Sequence, residues 1–201
     1  MTAYFHVYTG DGKGKTTAAL GLALRAAGAG WNVFIGQFAK GQATSELDAL
    51  RRFDDRITIR QFGSEAFIDP HPNEAELVNE HGARTSCPPR SGQDARAPGT
   101  FHNHSDLDLA ENGLAECAAA ISSGRYRLVI LDEANVAATM RLLSLQKLLD
   151  LIDSRPEGVE LVLTGRWAPS EILDRADLVT EMREIKHYYR QGVPARVGIE
   201  A

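Results

Sequence analysis

Residues 9–17 read Thr-Gly-Asp-Gly-Lys-Gly-Lys-Thr-Thr, and this glycine-rich stretch is the part of the chain that predicts its fold. It follows an apolar run at 4–8 that is typical of a buried strand, and it precedes residues 18–25, which favour a helix. A strand, a glycine-rich turn and a helix in this order form the context of a phosphate-binding loop. Glycines let the backbone approach an anion closely, and the helix N-terminus presents N–H donors to it.

The spacing of the stretch departs from the usual pattern G-x-x-x-x-G-K-[ST]. Counting back from Gly14, Lys15 and Thr16, the first glycine is expected at position 9, where this chain has Thr9. A glycine-rich turn without a ligand is the alternative interpretation. Three glycines, two lysines and two threonines in eight residues after an N-terminal strand favour phosphate binding. Lys15 would supply a compact positive charge, and Thr16 a hydroxyl for Mg²⁺.

The overall composition is that of an ordinary soluble chain. With 201 residues we expect one domain over 1–201, and a net charge of −5 argues against a protein that binds nucleic acid or membrane over its whole surface. Two cysteines, Cys87 and Cys117, do not make a disulfide framework, so a reducing cytoplasm is expected. No apolar run approaches the roughly 18 residues of a membrane helix, and no signal peptide is recognised.

Predicted strands alternate with predicted helices along the chain. The strands are expected at 3–9, 31–38, 57–62, 126–131, 159–163 and 177–182, and the helices between them begin near 15, 44, 105, 144 and 169. Ser105 is expected to cap the third helix. The alternation predicts an α/β fold with an open, mainly parallel sheet and helices on both faces. Together with the phosphate loop it predicts the P-loop NTPase-like (RecA-like) kind. Prolines and glycines predict an extended flexible loop at about 69–104, which would be a lid, a binding loop or disordered.

A second motif lies at the end of the fourth predicted strand, where the apolar run 128–131 is followed by Asp132 and Glu133. In P-loop proteins such a strand lies beside the phosphate loop, and an acid at its tip holds Mg²⁺ directly or through water. Solvated acids at a strand end are the alternative. Together with the phosphate loop, the motif predicts a site for Mg²⁺ or Mn²⁺ that comprises Thr16, Asp132 and Glu133. Arg166, just past the fifth strand, is also well placed for an anion.

The sequence resembles the P-loop ATP:corrinoid adenosyltransferases, which act on cob(I)alamin and cob(I)yrinic acid a,c-diamide. The likeness begins with the phosphate loop at 9–19 and covers 4–62 and about 106–200 in order. Its further pieces are 37–41, 129–133, 164–166, 172–182, 185–187, 192–193 and 198–199. The glycine-rich loop combined with the Ile-Lys-His of 185–187 makes the resemblance specific.

The resemblance implies transfer of the 5′-deoxyadenosyl group of ATP to Co(I) of a corrinoid, with release of triphosphate, in adenosylcobalamin biosynthesis or salvage. It implies that 10–16 hold the triphosphate and that Lys15, Thr16 and Glu133 are the catalytic residues. Arg25 falls where the family has an arginine near the nucleotide, although a solvated or salt-bridged helix residue is equally open. The predicted ATP-binding residues are Gly10, Asp11, Gly12, Lys13, Gly14, Lys15, Thr16, Thr17 and Arg25.

One feature of the family is missing from this sequence. Members bring aromatic side chains under the corrin, and one branch carries Phe-x-Trp after the third strand, a motif that does not occur here. Phe67 and Phe101 are the candidates for corrinoid binding, and apolar anchors for the loop are the alternative role. The resemblance further implies a homodimer and an electron donor such as a flavoprotein reductase.

Two other functions stay open from the sequence. A RecA-like or kinase-like ATPase would use Glu133 as its catalytic carboxylate and would release ADP and phosphate. A nucleotide-gated binding or regulatory module would bind ATP tightly without turnover.

Overall fold

A single parallel sheet forms the centre of the molecule in the computed structural model, which describes residues 2–41, 44–64 and 104–199. Its strand order is β3-β2-β4-β5-β1-β6, and every neighbouring pair is parallel. The strands are β1 (Phe5–Thr9), β2 (Val33–Phe38), β3 (Ile57–Phe62), β4 (Leu128–Asp132), β5 (Glu160–Thr164) and β6 (Leu178–Glu181). The predicted α/β fold with a parallel sheet is therefore confirmed.

Helices connect these strands, as the alternating pattern predicted. They are α1 (Lys15–Gly28), α2 (Ser45–Leu50), α3 (His104–Ser122), α4 (Ala134–Thr139), α5 (Leu145–Asp153) and α6 (Ser170–Leu173), with short 3₁₀ turns at Arg51–Phe53 and Tyr188–Gln191. The described part of α3 begins at His104, one residue before Ser105, and the capping role of Ser105 stays a prediction. Residues 69–103 of the predicted loop lie outside the described residues. None of the helices in the described ranges is long and apolar enough to cross a membrane.

Each face of the sheet carries its own apolar layer. Phe34, Phe38 and Leu131 pack in the layer that α3, α4, α5 and α6 cover. Alternate residues of the same strands, such as Ile35 and Ile130, pack in the opposite layer with α1 and α2. Because both faces are covered, the central strands are apolar along nearly their whole length, which is why they read as continuous runs. The predicted arrangement with helices on both faces is confirmed.

The contact between α3 and β3 requires a glycine. A Cβ built on Gly113 would lie 2.3 Å from Cγ of Phe62, whose ring is buried. We expect Gly113→Ala to lower the free energy of unfolding by about 1–3 kcal/mol, because overpacking outweighs the better helix propensity of alanine. Gly21→Ala in α1 is the matched control, since a Cβ there meets nothing within 4 Å. Thermal unfolding of the two variants measures the difference, and equal melting temperatures would contradict the packing argument.

Candidate active site

Polar groups converge where the strands end, because parallel strands present their carboxyl ends at one edge of the sheet. The loop between β1 and α1 lies at this edge. Gly10 (φ 97°) and Gly14 (φ 116°) take left-handed backbone conformations that other residues rarely adopt. A Cβ on Gly10 would lie 2.4 Å from the carbonyl oxygen of Met182, and the N–H of Gly12 donates to that same oxygen at 2.7 Å. The glycines thus allow the loop to pack against the backbone that follows β6.

The side chain of Lys15 folds back into this loop. Its Nζ donates to the carbonyl oxygens of Gly10 and Gly12, each at 2.7 Å. An ammonium has three N–H donors, so two hold the loop and the third remains for an anion. Burial, and next the positive charge of Arg166, lower the pKa of Lys15, while the nearby carboxylates oppose that shift. Binding of an anion here would favour the charged ammonium.

Asp132 is a buried carboxylate whose two oxygens both accept hydrogen bonds. It is 1% exposed, and its two oxygens accept from four side chains. The donors to Oδ1 are Thr164 (2.6 Å) and Thr16 (2.9 Å), and those to Oδ2 are Lys40 (2.8 Å) and Gln37 (3.1 Å). Burial alone would raise the pKa of Asp132, but the charge of Lys40 and these hydrogen bonds outweigh it and hold the pKa below its usual value.

The strand register brings these partners together. Gln37 on β2 lies directly opposite Asp132 on β4, and both point to the face that α1 covers. Strand β5 separates β1 from β4 in the sheet, yet the first turn of α1 reaches across so that Thr16 contacts Asp132. The structure therefore brings the phosphate loop to the strand-end carboxylate, as the two motifs predicted.

Glu133 has a different environment from its neighbour. Its left-handed backbone (φ 59°) turns the chain from β4 into α4, and its N–H donates to the hydroxyl of Thr164 at 3.0 Å. The side chain lines the cavity in front of the phosphate loop. Burial, followed by the charge of Asp132, raises the pKa of Glu133, although Lys40, Lys15 and Arg166 oppose the shift. Of the two adjacent acids, one is buried among donors and the other faces the cavity.

The cavity has a volume of about 970 Å³, large enough for a nucleotide. The phosphate loop, α1, the end of β2, α4 and the C-terminal tail form its walls. Its cationic lining residues are Lys13, Lys15, Lys40 and Arg166. Another part of the wall is apolar and comprises Leu20, Leu24, Val136 and Met140. The acids Asp11, Glu46 and Glu133 also line the cavity, so the cations exceed the carboxylates by one. Lysine and arginine side chains beside an apolar wall fit an anion that is attached to an uncharged group.

The structure places most of the predicted site residues around this cavity. Residues 11–17 and Glu133 line it, Gly10 accepts from Lys15, and Asp132 lies behind Thr16. Arg25 stands in the last turn of α1 and is not among the described residues that line the cavity, so its role stays a prediction. Phe67 and Phe101 lie outside the described residues.

Several residues at the site had received no role from the sequence. Gln37 and Lys40 lie at the carboxyl end of β2. Ligands bind at this end of the strands in open α/β sheets, so the position of these two residues in the sequence could have indicated a role at the site. The tail carries part of the family resemblance, at 185–187 and 198–199, but the sequence assigned it no role at the site. Its residues His187, Gly198 and Ile199 line the cavity, and the carbonyl of Ile199 accepts from Nζ of Lys13 at 2.7 Å.

A glycine-rich loop between a strand and a helix, with its threonine against the aspartate of another parallel strand, defines a P-loop nucleotide-binding protein. The model of the family described as ATP:corrinoid adenosyltransferase BtuR/CobO/CobP matches residues 1–86 and 96–201. The chain belongs to this family. The resemblance seen in the motifs is confirmed, and the alternative of an ATP-hydrolysing or kinase-like protein is not favoured.

Two of the individual relatives are named as corrinoid adenosyltransferases. The chain is 31% identical over 195 residues to a corrinoid adenosyltransferase of Pseudomonas aeruginosa, which covers 96% of this chain and 81% of the relative. It is 31% identical over 201 residues to the corrinoid adenosyltransferase CobA of Salmonella typhimurium, with 96% of this chain and 83% of the relative covered. A Nostoc protein described as uncharacterized is 34% identical over 195 residues, 93% of this chain and 45% of its own length.

Proposed function

We propose that this protein transfers the 5′-deoxyadenosyl group of ATP to Co(I) of a corrinoid and releases triphosphate. The observation that carries the proposal is the contact between Thr16 of the phosphate loop and Asp132 at the tip of β4, with Lys15 held inside the loop. In a chain that belongs to the adenosyltransferase family, this contact supports a polyphosphate site at the loop.

In this reaction the electron pair of Co(I) forms a bond to C5′ of ATP. The bond between C5′ and the triphosphate oxygen breaks, and triphosphate leaves with that electron pair. Catalysis then depends on stabilising the charge that develops on the leaving group. The first turn of α1 lines the cavity together with Lys15, Lys13 and Arg166, and its N–H groups and their charges would stabilise a triphosphate bound there. No proton has to be removed from the attacking group, so a general base is not required.

The oxygen atoms available as metal ligands at the site fit a magnesium ion. Thr16 offers a hydroxyl and Glu133 a carboxylate to the cavity, and Mg²⁺ prefers such hard oxygen ligands together with phosphate oxygens. Asp132 accepts four hydrogen bonds, so its part would be to orient the hydroxyl of Thr16 or to hold a metal-bound water. When bound, Mg²⁺ would neutralise part of the charge on the triphosphate.

The product distinguishes this function from its alternatives. The protein is incubated anaerobically with ATP, Mg²⁺ and a chemically reduced Co(I) corrinoid. We expect a light-sensitive cobalt–carbon product in the absorption spectrum and one equivalent of triphosphate. Formation of ADP and phosphate instead would indicate hydrolysis or kinase action. Tight ATP binding with no product from Co(I) would indicate a regulatory module.

We expect Glu133→Gln to raise the Mg²⁺ concentration needed for half-maximal activity by about tenfold, because the amide removes a charged oxygen ligand from the cavity. Activity is measured against free Mg²⁺ at saturating ATP. Glu157→Gln changes an exposed carboxylate before β5, at the opposite end of the sheet, and serves as the control. An unaltered metal titration for Glu133→Gln would remove this side chain from the metal site.

Association with other proteins is part of the proposal. The family resemblance supports a homodimer and an electron donor such as a flavoprotein reductase. Sedimentation equilibrium tests the first, and a mass that corresponds to one chain at micromolar concentration would contradict it. Reduction of Co(III) corrinoid by a flavoprotein in the presence and absence of this protein tests the second.

A further inference from the structure

Lys40 lies at the exit of β2 and touches the two groups that border the proposed metal site. Its Nζ is 2.8 Å from Oδ2 of Asp132, and it donates to the hydroxyl oxygen of Thr16 at 3.5 Å. The ammonium thus bridges the strand-end carboxylate and the threonine of the phosphate loop. These are the contacts expected of a cation that occupies the site when no nucleotide is bound.

The backbone around Lys40 holds it in this position. Ala39 takes a left-handed conformation (φ 54°), and its N–H donates to the carbonyl oxygen of Phe62 at 3.2 Å. A Cβ on Gly41 would lie 2.4 Å from the carbonyl oxygens of Gly63 and Ser64. The backbone segments that follow β2 and β3 therefore lie in close contact at Ala39 and at Gly41, on either side of Lys40. With a side chain only 26% exposed, Lys40 belongs to the site and is not a solvated surface lysine.

Lys40 balances the negative charge of the buried carboxylate of Asp132. This carboxylate is 1% exposed, and three of its four donors are neutral, namely Thr16, Thr164 and Gln37. A buried carboxylate that loses its cationic partner is strongly disfavoured. Lys40 supplies that partner in the protein alone. A divalent cation that entered without a nucleotide would meet the ammonium at close range and would be repelled by it.

We propose that Lys40 is a resident counter-cation that keeps free divalent ions out of the site and moves aside for a metal that arrives with the triphosphate. The inference rests on the proposed function insofar as Thr16 and Asp132 border the metal. Lys40 lines the same cavity as Lys15 and Arg166, so its long side chain can turn from Asp132 to a phosphate oxygen. The metal and the nucleotide would then bind cooperatively, because each displaces the lysine for the other.

The test measures the affinity of the protein for Mn²⁺ without nucleotide. The concentration of free Mn²⁺ is determined by electron paramagnetic resonance. We expect Lys40→Met to bind Mn²⁺ at least about tenfold more tightly than the wild type, a common size of coupling between two sites. Lys147→Met is the control, because Lys147 forms an exposed ion pair with Glu111 on α5 and α3. An affinity equal to or weaker than that of the wild type, in a variant with a native circular dichroism spectrum, would overturn the inference.

A second variant covers the case in which Lys40→Met does not fold. Lys40→Gln removes the charge but keeps an N–H donor for Oδ2 of Asp132. We expect Mn²⁺ to raise the melting temperature of this variant more than that of the wild type. An equal or smaller increase would contradict the inference. Neither measurement uses corrinoid. If the wild type makes no cobalt–carbon product, the proposed function is rejected. The role of Lys40 is then still decided by the two Mn²⁺ measurements.

Discussion

Lys15→Ala is expected to lower kcat for adenosyl transfer by about 10³-fold, or roughly 4 kcal/mol of transition-state stabilisation. The ammonium lies inside the phosphate loop, where it holds two carbonyl oxygens and has one donor left for the leaving triphosphate. Its contribution grows as the C5′–oxygen bond breaks and negative charge develops on that oxygen. Single-turnover measurements with Co(I) corrinoid and saturating Mg-ATP give the rate of the chemical step directly.

Two controls separate this effect from damage to the loop. Lys147→Ala removes an exposed lysine of α5 and should leave kcat unchanged. Circular dichroism and thermal unfolding establish that Lys15→Ala is folded, since Gly10 and Gly12 lose a hydrogen-bond donor in this variant. A folded Lys15→Ala enzyme with near-normal kcat would count against the assignment of the loop.

The lowered pKa of Lys15 adds a dependence on pH. The ammonium holds an anion while it is charged, so this contribution is present at low pH and is lost as the pH rises through the lowered pKa. For the free enzyme, kcat/KM should therefore fall on the alkaline side at a pH below the ordinary value of about 10.4. The Lys15→Ala variant should lack this alkaline decrease.

Asp132→Ala is expected to have the largest effect on stability. The substitution leaves four donors without their acceptor, including the charge of Lys40 and the buried amide of Gln37. Breaking a buried charged pair by removing one partner costs about 3–5 kcal/mol. For a chain of this size we expect the melting temperature to fall by about 10 °C. Denaturant unfolding without metal or nucleotide measures the loss in free energy.

Two further variants show whether the charge or the hydrogen bonds of Asp132 matter. Asp132→Asn should cost less, about 1–3 kcal/mol, because the hydroxyls of Thr16 and Thr164 can turn to accept from the amide. Asp153→Ala breaks an exposed ion pair with Arg175 and should cost under about 1 kcal/mol. Equal losses for Asp132→Ala and Asp153→Ala would show that the four hydrogen bonds contribute little.

The pKa of Asp132 predicts how this stability depends on pH. Because the folded-state pKa is lowered, the stabilisation is fully present above the unfolded pKa of about 3.9 and is lost as the pH falls through the folded value. The wild type should therefore lose more free energy of unfolding than Asp132→Asn over that acidic range. Parallel curves for the two proteins would contradict the predicted linkage.

The sequence by itself determined the elements and the chemistry of the loop. Periodicity and glycine placement predicted the strands and helices because a strand buried on both faces must be apolar throughout. Lys15 and Thr16 were recognised because a glycine-rich loop that ends in Lys-Thr is typical of phosphate binding, and Asp132 because it ends an apolar strand. The sequence shows that Glu133 directly follows Asp132. It does not show that the two side chains have different environments, because that difference depends on the left-handed turn at Glu133 into α4.

Only the tertiary structure decided how the pieces of the site meet. The order β4-β5-β1 puts a strand between the loop strand and the carboxylate strand, and α1 must cross β5 for Thr16 to reach Asp132. Gln37 and Lys40 became part of the site through the register of β2 with β4, and the tail joined it by crossing the phosphate loop. Local sequence encodes backbone preference and burial, whereas contacts between residues more than ninety positions apart depend on strand order and register, which many different strand sequences satisfy equally well.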